Sequence, residues 1–355
     1  MPTATLPPRL PWPSYRLGVL AGLLILVLAI CSLGFWFERA LGPATPPGEE
    51  EVVVKIPRGS SPGQIAERLR QEGLIRSAVV FRIYLRLQGL EESLKAGEYR
   101  LSPSLSVPEI ADTLASGNVV RHRVTIPEGF TLKQIAARLA EAGLIDPERF
   151  WQVAAEAPFD YDFLRDGPPG TQRLEGFLFP DTYYFSKDMT EEEIIAAMLR
   201  RFREAFTPEM EARCRELSLT VREAVTLASL VEREAKLDAE RPLVSAVFHN
   251  RLRLGLKLES CATVQYLLDE PRPVLRAEDL KIPSPYNTYL HVGLPPGPIA
   301  SPGLASLRAA LYPASAPYLY FVANPDGSHT FSRTYSAHLA ASRSIRSRSA
   351  TSSSP

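Results

Sequence analysis

The sequence predicts an α+β protein carried on one N-terminal membrane helix, and three observations predict it. Leu17 to Phe37 is a run of 21 residues without a charge, a strand–helix pattern recurs at a fixed offset of 70 residues, and a helix with a one-sided apolar face follows the second copy. The 355 residues carry 40 Lys plus Arg against 40 Asp plus Glu. That balance speaks against a nucleic-acid binder, whose affinity rests on a basic face. At 45% hydrophobic and 23% charged, the chain has an ordinary globular composition and length for about two domains. Cys31, Cys214 and Cys261 are too few and too scattered for a disulfide framework or a structural zinc site. Five His without H-x-H or H-x-x-x-H spacing give no reason to expect a metal centre, and no cofactor is expected.

At about 1.5 Å per residue, the run Leu17 to Phe37 spans roughly 31 Å, the thickness of a bilayer core. Arg9 and Arg16 precede it with no acid, and Glu49, Glu50 and Glu51 follow, so the positive-inside rule places the N-terminus in the cytoplasm. The run exceeds the 7–15 residues of a signal peptide and no A-x-A site follows. Ile30 stands before Cys31 where a lipoprotein signal needs a small residue. Residues 1–16 are then a cytoplasmic segment, 17–37 the span, and 38–51 a linker. Its Pro/Gly-rich part, Ala40 to Gly48, is expected to stand off the membrane as a semi-rigid spacer. At the other end, the Ser/Arg-rich residues 342–355 have no apolar period and are expected to be disordered.

Between these ends lies the repeat. Ile56-Pro57-x-Gly59, Gln64-Ile65-Ala66-x-Arg68-Leu69 and Gly73-Leu74-Ile75 recur as Ile126-Pro127-x-Gly129, Gln134-Ile135-Ala136-x-Arg138-Leu139 and Gly143-Leu144-Ile145. Each copy reads as a short strand (Val52–Ile56; Arg123–Ile126), a turn, and an amphipathic helix stopped by glycine. The second half of the unit recurs as well, with Tyr99 to Ile110 matching Tyr183 to Ile194 at an offset of 84, so the second copy has gained 14 residues. The gain falls near Gln172 to Asp181, where it adds aromatics and two acids. Such a loop on a duplicated scaffold is a place to look for substrate contacts, the alternative being a packing loop.

Thr220 to Lys236 places Ala224, Val225, Leu227, Ala228, Val231 and Ala235 on one helical face. A second helix is expected from Arg241 or Pro242 to about Leu254. Gly293 to Gly303 is a stiff irregular loop with four Pro, after which Ser301-Pro302 reads as the start of a helix reaching Leu311. Tyr318 to Ala323, the turn Asn324 to Gly327, and His329 to Phe331 form a hairpin.

No G-x-S-x-G, Walker, Rossmann or kinase signature is present, which leaves acids as the best chemical candidates. Glu232 and Glu234 are two positions apart, about 200° around a helix, so one cleft cannot receive both. Glu232 has Lys236 at i+4 and reads as half of a surface ion pair. Glu234 has no such cation and borders the apolar face, which makes it the better candidate for a general acid of raised pKa.

The motifs Leu174-Glu175-Gly176-Phe177, Pro180-Asp181-Thr182, Ala228 to Glu234, Val247-Phe248-x-Asn250-Arg251-Leu252, Ser284 to Tyr289, Gly293-Leu294-Pro295-Pro296-Gly297-x-Ile299 and Pro317 to Val322 occur in order. Together they resemble the endolytic murein transglycosylases, the YceG-like family, over nearly all of residues 52–341. The resemblance implies a bacterial inner-membrane enzyme with its catalytic domain in the periplasm or outside the cell membrane. It implies a LysM-like α+β subdomain over 52–121, and a second repeat plus mixed α/β catalytic domain of YceG-like type over 122–341.

The implied activity is cleavage of nascent peptidoglycan strands within the chain, with strand termination as its role. Peptidoglycan synthases or the elongation and division machinery are the implied partners. The family's catalytic acid is the second of the E-x-E pair, Glu234, with Glu232 in reserve. Glu175, Asn287, Glu259 and Thr263 would bond sugar hydroxyls or acetamides, and Tyr286 or Tyr289 would supply a stacking surface. Glu259 and Cys261 stand where Gln and Asp are frequent in relatives, so no role carries over to Cys261, for which a small buried thiol is the default. Two other readings remain: a hydrolytic muramidase with Glu175 or Asp181 as second carboxylate, and a glycan-binding scaffold without activity.

Overall fold

The computed structural model describes residues 14–46, 48, 50–165, 167–268 and 270–352; most of the expected cytoplasmic segment and the last three residues lie outside them. Helix α1 runs over Ser14–Leu41, and within it Val19–Leu41 is long and apolar enough to cross a membrane, with a mean hydropathy of 2.6 and none of its most apolar window buried. The chain divides into two compact units, Met1–Val120 and Arg121–Pro355.

In the first unit, β1 (Val52–Ile56) is followed by α2 (Pro62–Gln71), α3 (Ala78–Gln88), β2 (Gly97–Leu101) and α4 (Val107–Ser116). β1 and β2 pair antiparallel, Val52 opposite Leu101 and Ile56 opposite Gly97. Helix α2 forms because Ser61 and Gln64 close a capping box around a Pro at its start, and it stops where Gly73 takes a φ of +73°. Its buried face, Ile65, Ala66 and Leu69, meets Phe81 and Leu85 of α3 and Ile110 of α4 in one core. Each such fully buried large side chain contributes about 1.5–3 kcal/mol.

The linker departs from expectation. Helix α1 continues four residues past Phe37, Ala40 is buried, and Leu41 packs against the core of the first unit. Arg76 donates to the Arg39 carbonyl at 3.3 Å, and the N–H groups of Ala44 and Thr45 both reach the Pro103 carbonyl. Pro43 and the prolines after it end the helix, but backbone hydrogen bonds dock the segment on the unit and it is no free spacer.

The second unit opens with the same order: β3 (His122–Thr125), α5 (Leu132–Glu141), α6 (Pro147–Glu156), β4 (Thr182–Phe185) and α8 (Glu191–Ala205). Thr131 and Gln134 repeat the capping box, and β3 pairs antiparallel with β4, His122 opposite Phe185. The gain of the second copy lies between α6 and β4 and contains the short helix α7 (Asp162–Arg165) and a 3-10 turn over Gly170–Leu174. Phe177 from it is fully buried, stacked on Phe163 at 5.2 Å and covered by the Arg222 guanidinium at 4.7 Å. Its aromatics are packing residues, as the blander alternative had it.

After α8 come α9 (Pro208–Glu216), α10 (Val221–Glu234), α11 (Arg241–Arg253), α12 (Cys261–Tyr266), α13 (Leu304–Leu311), the hairpin β5 (Tyr320–Ala323) with β6 (His329–Ser332), and α14 (Tyr335–Ser352). Helix α10 is the axis of this unit, with Ala224 through Val231 buried and α11, α12 and α13 all packed against it. Two expectations fail here. Helix α13 begins at Leu304 rather than at Pro302, because the Ser301 backbone is already paired with Gly129 and Phe130, at 2.8 Å in both directions. Residues 342–352, expected to be disordered, extend α14, whose Ile345 is buried; propagation from a formed helix needs no amphipathic period.

Candidate active site

The end of α10 is where the acids converge. Its C-terminal turn carries Glu232, Arg233 and Glu234, and three loops reach it: the Pro127-x-Gly129 turn of the second repeat, the Pro-rich loop before α13, and the start of α12. Ser229 and Glu232, one turn apart on α10, each accept a backbone N–H from the Pro-rich loop, Ile299 to Ser229 Oγ at 3.1 Å and Gly303 to Glu232 Oε2 at 3.0 Å. Arg233 Nη1 donates to the Gly129 carbonyl at 3.2 Å.

Glu232 is not half of a surface pair with Lys236. Its side chain is enclosed and paired with the equally enclosed Arg241 at 3.2 Å, which Asp238 also holds at 3.0 Å. Arg241 enters from the next helix and takes the carboxylate that the i+4 spacing had assigned to Lys236. Glu128 lies against Gly303 close by, and burial, then the charge of Glu232, raises its carboxyl pKa.

Glu234 points the other way, as the 200° separation requires. Its Oε1 accepts from Ser260 Oγ at 2.5 Å and from the Ala262 N–H at 3.3 Å, at the first turn of α12. Oε2 makes no hydrogen bond to any described residue. One turn further along α12, the Tyr266 hydroxyl donates to Glu175 Oε2 at 3.2 Å, while the Leu132 N–H at the start of α5 donates to Glu175 Oε1 at 2.9 Å. Four residues of helix advance about 6 Å, so the two carboxylates flank one short segment. Glu175 is 5% exposed, and burial pushes its carboxyl up to about 7, against the downward pull of the Leu132 and Tyr266 hydrogen bonds.

Glu175 and Ala262 line a cleft of about 620 Å3, together with Lys133, Trp151, Arg233 and Tyr266. A larger hollow of about 940 Å3 lies over Asp181, Arg201 and Arg241. Of the acids lining it, Asp181 and Asp238 are paired with Arg201 at 2.6 Å and Arg241 at 3.0 Å, and Glu128 is the one with a raised carboxyl pKa. The smaller cleft is the one that the buried Glu175 lines.

The remaining predicted residues brace the site from behind. Asn287 is fully buried and spends its side chain on the Leu280, Ile282 and Tyr289 backbone. Thr263, also buried, bonds the Ser260 carbonyl and Thr288. Tyr286 is 5% exposed with its ring 5.3 Å from that of Tyr266, so it backs the cleft wall and offers no open stacking face. Thr263 and Tyr286 pack on or within α12, whereas Asn287 ties together the loop that precedes Tyr289. Glu259 holds a φ of +50° and pairs with Arg251 at 2.9 Å, half exposed. Cys261 is exposed and not the buried thiol that was expected, because it stands at the first residue of α12; its sulfur meets the Tyr289 hydroxyl at 3.1 Å, and desolvation raises the thiol.

Sequence reading missed Ser260, Trp151 and Tyr266. Ser260 sits inside the Glu259 to Tyr266 string and precedes a helix, the usual signature of a cap, but its hydroxyl serves Glu234 instead. Trp151 had no signal beyond its type.

An acid-bearing cleft on a duplicated α+β scaffold is the class that this geometry defines. The chain belongs to the YceG-like family, whose model matches residues 54–344. An endolytic murein transglycosylase of Bacillus subtilis is 32% identical over 85% of this chain and 86% of its own length. One of Streptococcus pneumoniae is 33% identical over 84% of this chain, which spans only 60% of that relative. A solved YceG-like protein of Listeria monocytogenes superposes with a TM-score of 0.56 at 32% identity, over 82% of this chain and 99% of its own.

Proposed function

We propose that this chain is a membrane-anchored endolytic lytic transglycosylase that cuts the bond between N-acetylmuramic acid and N-acetylglucosamine within nascent peptidoglycan strands. The observation that carries the reading is that both carboxylates bond α12, Glu234 at the Ala262 N–H and Glu175 at the Tyr266 hydroxyl, and that Glu175, Ala262 and Tyr266 line a cleft of about 620 Å3. The names of the relatives point the same way.

Glu234 is the acid and then the base. Protonated on Oε2, it donates to the glycosidic oxygen as the C1–O bond breaks. Its carboxylate then takes the proton of the muramic C6 hydroxyl, which closes on C1 and leaves a 1,6-anhydro end. Ser260 and the Ala262 N–H keep Oε1 occupied, so the same oxygen faces both steps. Glu175 bonds the sugar on the other side of α12, with Trp151 and Tyr266 as apolar surface and Lys133 and Arg233 facing the acidic groups of the strand. Glu232 keeps the α10 end in place and takes no proton from substrate.

Helix α1 crosses the cell membrane with the N-terminus in the cytoplasm, so that the rest of the first unit and the whole of the second lie outside it. The first unit, with its β–α–α–β order, is a LysM-like strand-binding module, and the enzyme ends strand elongation beside the synthases or the division machinery.

The whole chain in detergent is incubated with uncross-linked glycan strands, and product ends are identified by mass spectrometry beside Glu234→Gln. Internal fragments with 1,6-anhydromuramic ends, lost in the variant, are expected. Reducing ends would replace the reading with a hydrolase using Glu175 as its second carboxylate, and binding without cleavage would leave a scaffold.

A further inference from the structure

Helix α3 carries an apolar stripe that the fold does not cover. Val79, Ile83 and Leu87 are 60%, 42% and 71% exposed, and their i, i+4, i+8 spacing keeps them within about 80° of arc on one face. On the opposite side Phe81 and Leu85 are already spent on the core, and Val80, next to Leu87 around the helix, is buried and bounds the stripe on that edge. Arg82 and Arg86, both exposed, run along one edge of the stripe, and their long stems let the guanidinium groups reach away from an apolar contact. A stripe of this kind is a surface waiting for an apolar partner with negative charge at its border.

Its position says which partner. Helix α1 packs directly on α3 and α4. The first residue of α1 buried by the unit, Ala40, is three positions past the uncharged run that ends at Phe37, a rise of about 4.5 Å. That is no more than the headgroup layer on one side of a bilayer, roughly 5–7 Å. Arg76, two residues before α3 begins, is tied to the Arg39 carbonyl, so the N-terminal end of α3 starts where the span ends. No slack separates them, because the segment after Leu41 is itself held on the unit through Pro103.

We propose that the Val79, Ile83 and Leu87 face of α3 lies in the interface of the membrane that α1 crosses, with Arg82 and Arg86 on anionic lipid headgroups. The inference rests on the reading of α1 as a membrane span. It makes the first unit a second, peripheral membrane contact that fixes its orientation at the bilayer and does not leave it to swing on a tether.

The test uses the whole chain in lipid nanodiscs at one copy per disc, with an environment-sensitive fluorophore at a single introduced cysteine in a Cys31→Ser, Cys261→Ser background. Labels at Ile83→Cys and Leu87→Cys are compared with Phe35→Cys inside the span and Val274→Cys on the second unit. With about 30% phosphatidylglycerol, the labels at 83 and 87 are expected to shift to the blue and to lose at least about half their intensity to headgroup-proximal spin-labelled lipid. Arg82→Glu with Arg86→Glu, or uncharged lipid alone, should restore most of that intensity, and the label at 274 should stay as in water.

Quenching at 35 with water-like spectra at 83 and 87 would overturn the docking and leave the span intact. A blue shift at 83 and 87 without lipid quenching, seen only when two copies share a disc, would assign the stripe to a second copy and overturn it too. An unquenched label at 35 would sink the span itself, and the docking with it.

Discussion

Two carboxylates two residues apart in one helix have different fates, and their nearest donors decide them. Glu232 meets Arg241 and the Gly303 N–H and is locked into the fold, whereas Glu234 meets only a hydroxyl and one N–H and keeps an oxygen for chemistry. Glu234→Gln should therefore leave thermal stability nearly unchanged and abolish strand cleavage. Glu232→Gln should keep cleavage measurable but cost about 3 kcal/mol, because Arg241 loses its buried counter-charge; a chemical-denaturation curve beside the cleavage assay separates the two. Glu175 makes a pH prediction. Its carboxyl sits at about 7 in the fold against a usual 4.5. Between those values the folded chain holds the proton more tightly than the unfolded one, so its contribution is complete below about 4.5 and is lost as pH rises through about 7. The loss levels off near 3 kcal/mol. Glu175→Gln cannot ionise, and its stability relative to the parent should rise from pH 4.5 to 8 by that order; an unchanged difference across the window would mean that Glu175 is solvated.

At the scale of elements, the site depends on how the insertion of the second repeat meets the Pro-rich loop. Gly176 holds a φ of +83°, and a Cβ there would come within 2.4 Å of the Pro298 ring. Gly176→Ala should cost about 2–4 kcal/mol from overpacking and backbone strain together, and lower cleavage because Glu175 is the preceding residue. Urea unfolding and the product assay read both effects. The elements themselves were largely legible: the strand–turn–helix order of both repeats, the stop at Gly73, the apolar face of α10 and the β5–β6 hairpin all follow from local chemistry. The start of α13 was set at a distance. Ser301 and Pro302 have the local marks of a helix start, yet a ladder to Gly129 and Phe130 takes the Ser301 backbone first.

At the scale of the molecule, each unit has its own core, that of the first built on Leu69, Phe81 and Ile110 and that of the second on α10. Phe81→Ala should cost about 3–5 kcal/mol in the first unit and leave the transition of the second in place, which a two-step calorimetric trace would show. A single transition that moves as a whole would mean that the two cores unfold as one.

The sequence alone determined the apolar span, the duplication, the insertion and the family, because each is a matter of local composition or of order along the chain. Only the tertiary structure decided which acid pairs with Arg241, that Asn287, Thr263 and Tyr286 stand behind the cleft wall, and that the Pro-rich linker is docked. These depend on which groups from separate elements meet at a given donor or cavity. A hydrogen bond or ion pair reaches only about 3–4 Å, and spacing along the chain does not encode a distance that short between residues on different elements.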